Sequence, residues 1–112
     1  MSIAPTPQPP YYAVVFTSLL GRDDAGYGDM ARAMAETAAR QPGFLGVESV
    51  REGAGPGAPG ITVSYWRSLE DIAAWKTDAA HQMAQRLGRQ RWYAAYKTRI
   101  CRVERDYDFA AG

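Results

Sequence analysis

Residues 75–93, WKTDAAHQMAQRLGRQRWY, hold the chain's single histidine, His81, between Trp75 and Trp92 and just upstream of Gly88 and a cluster of arginines. An imidazole has an unperturbed pKa of about 6.5, so it is the side chain best suited to take or relay a proton near neutrality. Tyr65, Trp66, Trp75, Trp92, Tyr93 and Tyr96 are available as aromatic walls, and Ser64 and Gln85 as small polar donors, which together make up the usual lining of a small-molecule pocket. The candidate proton acceptor is therefore His81, and the candidate substrate contacts are Ser64, Tyr65, Trp66, Gln85, Trp92 and Tyr93. Each has a plainer reading beside it. A lone helical histidine often sits in solvent, buried tyrosines commonly bond backbone, core packing explains Tyr65 and Trp66 as well as ligand contact does, and Trp75 and Trp92 read first as core.

Helix phase decides whether His81 can reach such a pocket. At about 100° per residue, Leu69, Ile72, Lys76, Ala79, Met83 and Leu87 share one side and His81 falls nearly opposite. Thr77 and Asp78 are good N-cap types. A helix break is expected there, resetting the phase so that His81, Ala84, Gly88 and Trp92 form a new stripe. Trp66 alternates with Ser64 and Thr62 against Tyr65, Val63 and Ile61, so one of these two aromatics faces the helices and the other faces away.

The elements that must position these residues follow from pattern. The tail MSIAPTPQPP (residues 1–10) carries four prolines and reads as an extended, flexible segment. YYAVVFTS (11–18) is a strand apolar on both faces, as in the middle of a sheet. From Tyr27, apolar residues recur at helical spacing until Pro42 and Gly43 end the run. FLGVESVRE (44–52) and ITVSYWR (61–67) read as a hairpin across a Gly/Pro-rich loop. Ser68 with Asp71 three residues on resembles a capping box that opens a second helix. YKTRICRVERDYDF (96–109) reads as a last, partly exposed strand, with Cys101 a small packed hydrophobe.

The order β-α-β-β-α-β is the α+β, ferredoxin-like arrangement of an antiparallel sheet with both helices on one face, within a single domain of residues 11–109. Since the first strand is apolar on both faces, the other side of the sheet calls for a cover, and a homodimer packed sheet to sheet supplies one.

Composition narrows the function classes. The 112 residues are 46% hydrophobic and 22% charged with a net charge of +1, which is ordinary globular composition and argues against a nucleic-acid protein working through a large positive field. The basic residues of the C-terminal third read as solvated faces and ion pairs with Glu104, Asp106 and Asp108. The final strand lacks the Gly-aromatic run of RNA-recognition modules. Neither a secretory signal nor a membrane-length apolar run is evident, and the single cysteine implies no disulfide framework, so a cytoplasmic protein is expected. No metal-ligand spacing, phosphate loop or nucleophile elbow is present.

QPGFLGVES after the first helix, ITVSYWRSLEDIAAWK across the strand-helix junction, and H-x-x-A-Q-x-x-G-R from His81 to Arg89 resemble the antibiotic biosynthesis monooxygenase family, over about residues 11–109. The resemblance implies a dimeric α+β barrel and divides the second helical region into two pieces. It also implies a cofactor-independent monooxygenase that acts on an aromatic or polyketide-like small molecule. An ionised phenol would react with dioxygen while His81 takes its proton and pocket donors hold the negative charge. On this reading Trp66, Tyr65 and Trp92 form one wall, and Ser64 or Tyr93 polarises a substrate oxygen. Haem-degrading relatives make a haem enzyme with an axial His81 the enzymatic alternative. A non-catalytic dimeric accessory protein that holds a small molecule is the alternative outside enzymology.

Overall fold

A computed structural model describes residues 2–23, 25–87 and 92–112, and for residues 81–87 the course of the backbone alone. The elements are β1 (Tyr11–Leu20), α1 (Tyr27–Ala39), β2 (Phe44–Arg51), β3 (Pro59–Trp66), α2 (Leu69–Leu87) and β4 (Tyr93–Val103). They form one antiparallel sheet in the order β2-β3-β1-β4. This is the ferredoxin-like α+β topology that the element order predicts. No helix among the described residues is long and apolar enough to cross a membrane.

The turns are set locally. Gly43 has φ +81°, and a Cβ there would fall 1.9 Å from an Asp71 carboxylate oxygen, so only glycine fits between the end of α1 and the start of α2. Asp71 is held in that place by a closed capping box: its backbone N–H donates to Ser68 Oγ at 3.1 Å, and the Ser68 hydroxyl donates back to its carboxylate at 2.9 Å. The Arg67 N–H then donates to the Gly43 carbonyl at 2.8 Å, tying the two junctions together.

Residues directly opposite on paired strands share a face, so the register sorts the sheet into two sides. Tyr12, Val14, Phe16 and Ser18 of β1 lie with Trp66, Ser64, Thr62 and Gly60 of β3 on the side of the helices, where Trp66 stacks on Trp75 of α2 with centroids 6.2 Å apart. Tyr11, Ala13, Val15 and Thr17 lie with Tyr65, Val63 and Ile61 on the helix-free side. Trp66, Ile72, Met30, Leu20 and Trp92 are buried in the helix-side core. Residues before β1 run along the helix-free side, where the Ala4 N–H donates to Glu48 at 2.9 Å and Thr6 Oγ1 lies 3.0 Å from the Tyr11 hydroxyl.

Four expectations are corrected. The helix α2 runs unbroken through Thr77 and Asp78, because Thr77 Oγ1 donates back to the Ala73 carbonyl at 3.2 Å and Asp78 accepts from Gln41 of the α1–β2 turn at 3.0 Å, so neither caps a new helix. Strand β4 begins at Tyr93 and ends at Val103, earlier at both ends than residues 96–109, since Tyr93 pairs with Leu20 and no partner continues past Tyr11. Beyond its end Asp106 accepts from the Tyr11 hydroxyl instead of an arginine, while Glu104 does form an ion pair with Arg102 at 3.4 Å. Cys101 is exposed, on the helix-free side of an edge strand, rather than packed.

Candidate functional site

The helices do not cover their side of the sheet evenly. Among the described residues helix α1 packs chiefly on α2 and β2, and α2 on β3, so that apart from the Tyr27–Tyr93 contact the helix side of β1 and β4 forms a groove. Its floor is half-buried Val14, Phe16, Thr62 and Ser64, with Val47 of β2 and Ile100 of β4 exposed at 42% and 45% on its margins.

One end of the groove is closed by Trp66, which has no exposed surface. Its indole N–H donates to Ser64 Oγ at 2.9 Å, and its ring meets Phe44 edge-on at 5.5 Å. Ser64 is thus on the groove side with one lone pair engaged and its own O–H still able to donate. The other end is an aromatic cluster. Phe16 packs against Tyr93 and Tyr96 at 5.4 and 5.3 Å, and Tyr93 against Tyr27 of α1 at 5.6 Å. Burial, followed by a hydrogen bond with Tyr27, pushes the Tyr93 phenol above the ordinary range. At neutral pH Tyr93 is therefore a neutral donor and cannot act as a base.

The candidates named from sequence do not form one wall. Trp66 and Ser64 stand together at one end of the groove and Tyr93 at the other, and the eight residue steps from Tyr12, opposite Trp66, to Leu20, opposite Tyr93, span about 26 Å of extended strand. Tyr65 is on the opposite side of the sheet, donating to Glu48 at 2.6 Å. Trp92 is buried beside the approach to α1, with its indole N–H on the Ala25 carbonyl at 2.8 Å. His81 and Gln85 lie on α2, and their side chains fall outside the described residues. Sequence reasoning passed over Arg51, Tyr27 and Phe16. The signal for Arg51 was its place on the same face as Val47 and Ser49 of β2, a cation at the helix-facing side of a sheet.

The family model for antibiotic biosynthesis monooxygenases matches residues 11–87, more than half of the chain. The chain belongs to the antibiotic biosynthesis monooxygenase family. It is similar to the uncharacterized protein YqjZ of Bacillus subtilis (strain 168), 50% identical over 103 residues that make up 92% of this chain and 88% of that protein. Among solved structures, SnoaB of Streptomyces nogalater, described as a cofactor-independent oxygenase, superposes with a TM-score of 0.64 at 13% identity over 88% of this chain and 97% of its own. PA3566 of Pseudomonas aeruginosa does so at 0.65 and 11% identity over 90% and 99%. At such identities these two structures speak for the fold alone.

Proposed function

We propose that the chain is a cofactor-independent monooxygenase that binds an ionisable aromatic small molecule in the groove between helices and sheet, and that it works as a homodimer packed through the helix-free sheet face. The observation that carries this reading is the lining of the groove. Half-exposed aromatic and aliphatic surface from Phe16, Tyr96, Val14 and Ile100 lies among neutral hydroxyls from Ser64, Thr62 and Tyr93. Flat apolar walls with a few hydroxyl donors along them suit a polycyclic phenol. Family membership and the description of SnoaB as a cofactor-independent oxygenase support the reaction class.

In this reaction a phenol-activated CH2 loses its two hydrogens and takes one oxygen atom from dioxygen as a carbonyl, and the second oxygen leaves as water with those hydrogens. The substrate itself supplies all four electrons. The protein's tasks are to orient the ring, to accept a proton so that an electron-rich anion forms, and to hold the negative charge with donors. We assign charge stabilisation to the hydroxyl of Ser64 or, at the other end of the groove, of Tyr93, and we assign proton acceptance to His81 on the chemistry of its imidazole alone, since the unbroken α2 supplies no reset of phase that would turn it to the groove.

An oxygen electrode with anthrone as substrate tests the proposal. Expected is one dioxygen consumed per carbonyl formed, with His81→Ala slowing turnover by roughly a hundredfold or more, the usual worth of a general base. Ligand retention without oxygen uptake would instead identify an accessory binding protein. A Soret shift on haem titration that His81→Ala removes would identify a haem enzyme. Either outcome overturns the proposal.

A further inference from the structure

Arg51 ends β2, an edge strand, yet its guanidinium is delivered to the middle of the sheet. Across the sheet, Arg51, Gly60, Ser18 and Tyr96 form one row on the helix side. Because Gly60 has no side chain, Arg51 lies flat across β3, where a Cβ on Gly60 would sit 2.5 Å from Arg51 Cζ. Past that gap the guanidinium donates to the Ala58 carbonyl at 2.7 Å, Ser18 Oγ at 2.6 Å and the Tyr27 hydroxyl at 3.1 Å, with Cζ 5.4 Å from the centroid of the Tyr27 ring.

All three acceptors are neutral. A part-buried cation is ordinarily matched by a carboxylate, since removing it from water without a counter-ion costs free energy. Among the described residues no acidic side chain pairs with Arg51. Of the five guanidinium N–H groups these bonds use three, leaving two for a ligand. The charge also borders the aromatic end of the groove. Tyr27 and Tyr93 pack together, Tyr93 meets Phe16 and Tyr96, and the Tyr96 ring, in the same row as Arg51, is 65% exposed. A flat ligand lying on Phe16 and Tyr96 would direct its edge toward Arg51.

We infer that Arg51, seated over Gly60 and flanked by the Tyr27 and Tyr93 hydroxyls, is an anion-recognition point that selects aromatic ligands bearing a phenolate or carboxylate. The inference rests on the reading of the groove as the ligand site and adds the charge of the ligand to it. A fixed cation with one adjoining O–H donor left over from the Tyr27–Tyr93 hydrogen bond holds the ionised form of a phenol, so Arg51 sets ligand specificity and favours the anion without itself moving a proton.

The test is calorimetric titration with 2-naphthoate and with its neutral isostere 2-naphthamide at low ionic strength. Naphthoate is expected to bind at least tenfold more tightly, to shift the Arg51 Nε–H resonance in a nitrogen-15 spectrum, and to lose its advantage in high salt. Arg51→Gln brings the two affinities together. So does Gly60→Ala, which keeps the arginine but removes its seat and covers the case in which Arg51→Gln does not fold. Equal affinities in the unaltered protein, or a preference that survives both substitutions, overturn the role of Arg51 and leave the aromatic groove standing. Binding of neither probe overturns both the anion point and the groove as an aromatic site. Oxygen uptake from anthrone bears on the reaction alone.

Discussion

Single residues divide by whether their polar atoms point at neighbours or at open space. Trp66 has spent its indole N–H on Ser64 inside the core, so Ser64→Ala leaves a buried donor without an acceptor. That is expected to cost about 1–3 kcal/mol, read as a lower urea midpoint with an unchanged slope. Tyr65 shows the opposite economy on the far side of the sheet. Burial, then the hydrogen bond to Glu48, pushes its phenol up to about 12 from an ordinary 10. The folded protein thus holds this proton more tightly than the unfolded chain. The resulting stability is fully present below pH 10 and is lost as pH rises through 12. Absorbance at 295 nm should accordingly show a late ionising component that Tyr65→Phe reduces by one tyrosine. At this scale the sequence was a guide to residue types more than to places: Trp66 and Ser64 do meet, while Tyr93 stands at the other end of β1. It could not divide Tyr65 from Trp66, because alternation fixes that neighbours oppose one another without fixing which of them meets the helices.

Elements were legible wherever the local chemistry had no rival. The capping box at Ser68 and the turn at Gly43 are written in short motifs, and both form as read. Thr77 and Asp78 misled because their cap-forming groups are taken up elsewhere, one by the preceding turn of α2 and the other by Gln41. The consequence is functional: an unbroken α2 offers no reset of phase, so the case for His81 rests on its own assay. The junction between α1 and α2 provides a sharper test of element-level coupling. Gly43→Ala forces a positive φ on alanine and drives a methyl group into Asp71. It should destabilise the fold by about 2 kcal/mol, the sum of a left-handed backbone cost and a lost cap. Asp71→Ala alone should cost about 1 kcal/mol. Because the second change removes the carboxylate that the first collides with most closely, the double variant should be less destabilised than the sum, and chemical denaturation of the four proteins measures the coupling. Strict additivity would show that the Gly43–Asp71 contact plays no part.

The whole molecule presents one face that its own chain does not finish. On the helix-free side, the segment before β1 and the Tyr11–Asp106 bond cover the end near Tyr11, and Ala13 is buried. Farther along the same side Leu19, Val50 and Ile61 are exposed, with half-buried Val15 and Val63 between them. Past β4, Tyr107 and Phe109 stand in solvent at 99% and 86% exposure. Apolar strand residues on both faces of β1 were the sequence's sign that something must cover this side, and the open patch agrees with that need. A two-fold partner is the simplest cover, because an isologous contact sets the same patch against itself. Every substitution in it is then felt twice. Val50→Asp with Ile61→Asp puts four carboxylates into the proposed interface of the dimer while altering only exposed positions of the single chain. The cost of burying unpaired charge is several kcal/mol, on the order of a thousandfold or more in the dimer dissociation constant. Analytical ultracentrifugation should find the unaltered protein at twice the chain mass and the double variant at the chain mass with its circular dichroism preserved. A variant that stays dimeric would place the interface elsewhere and leave this patch uncovered.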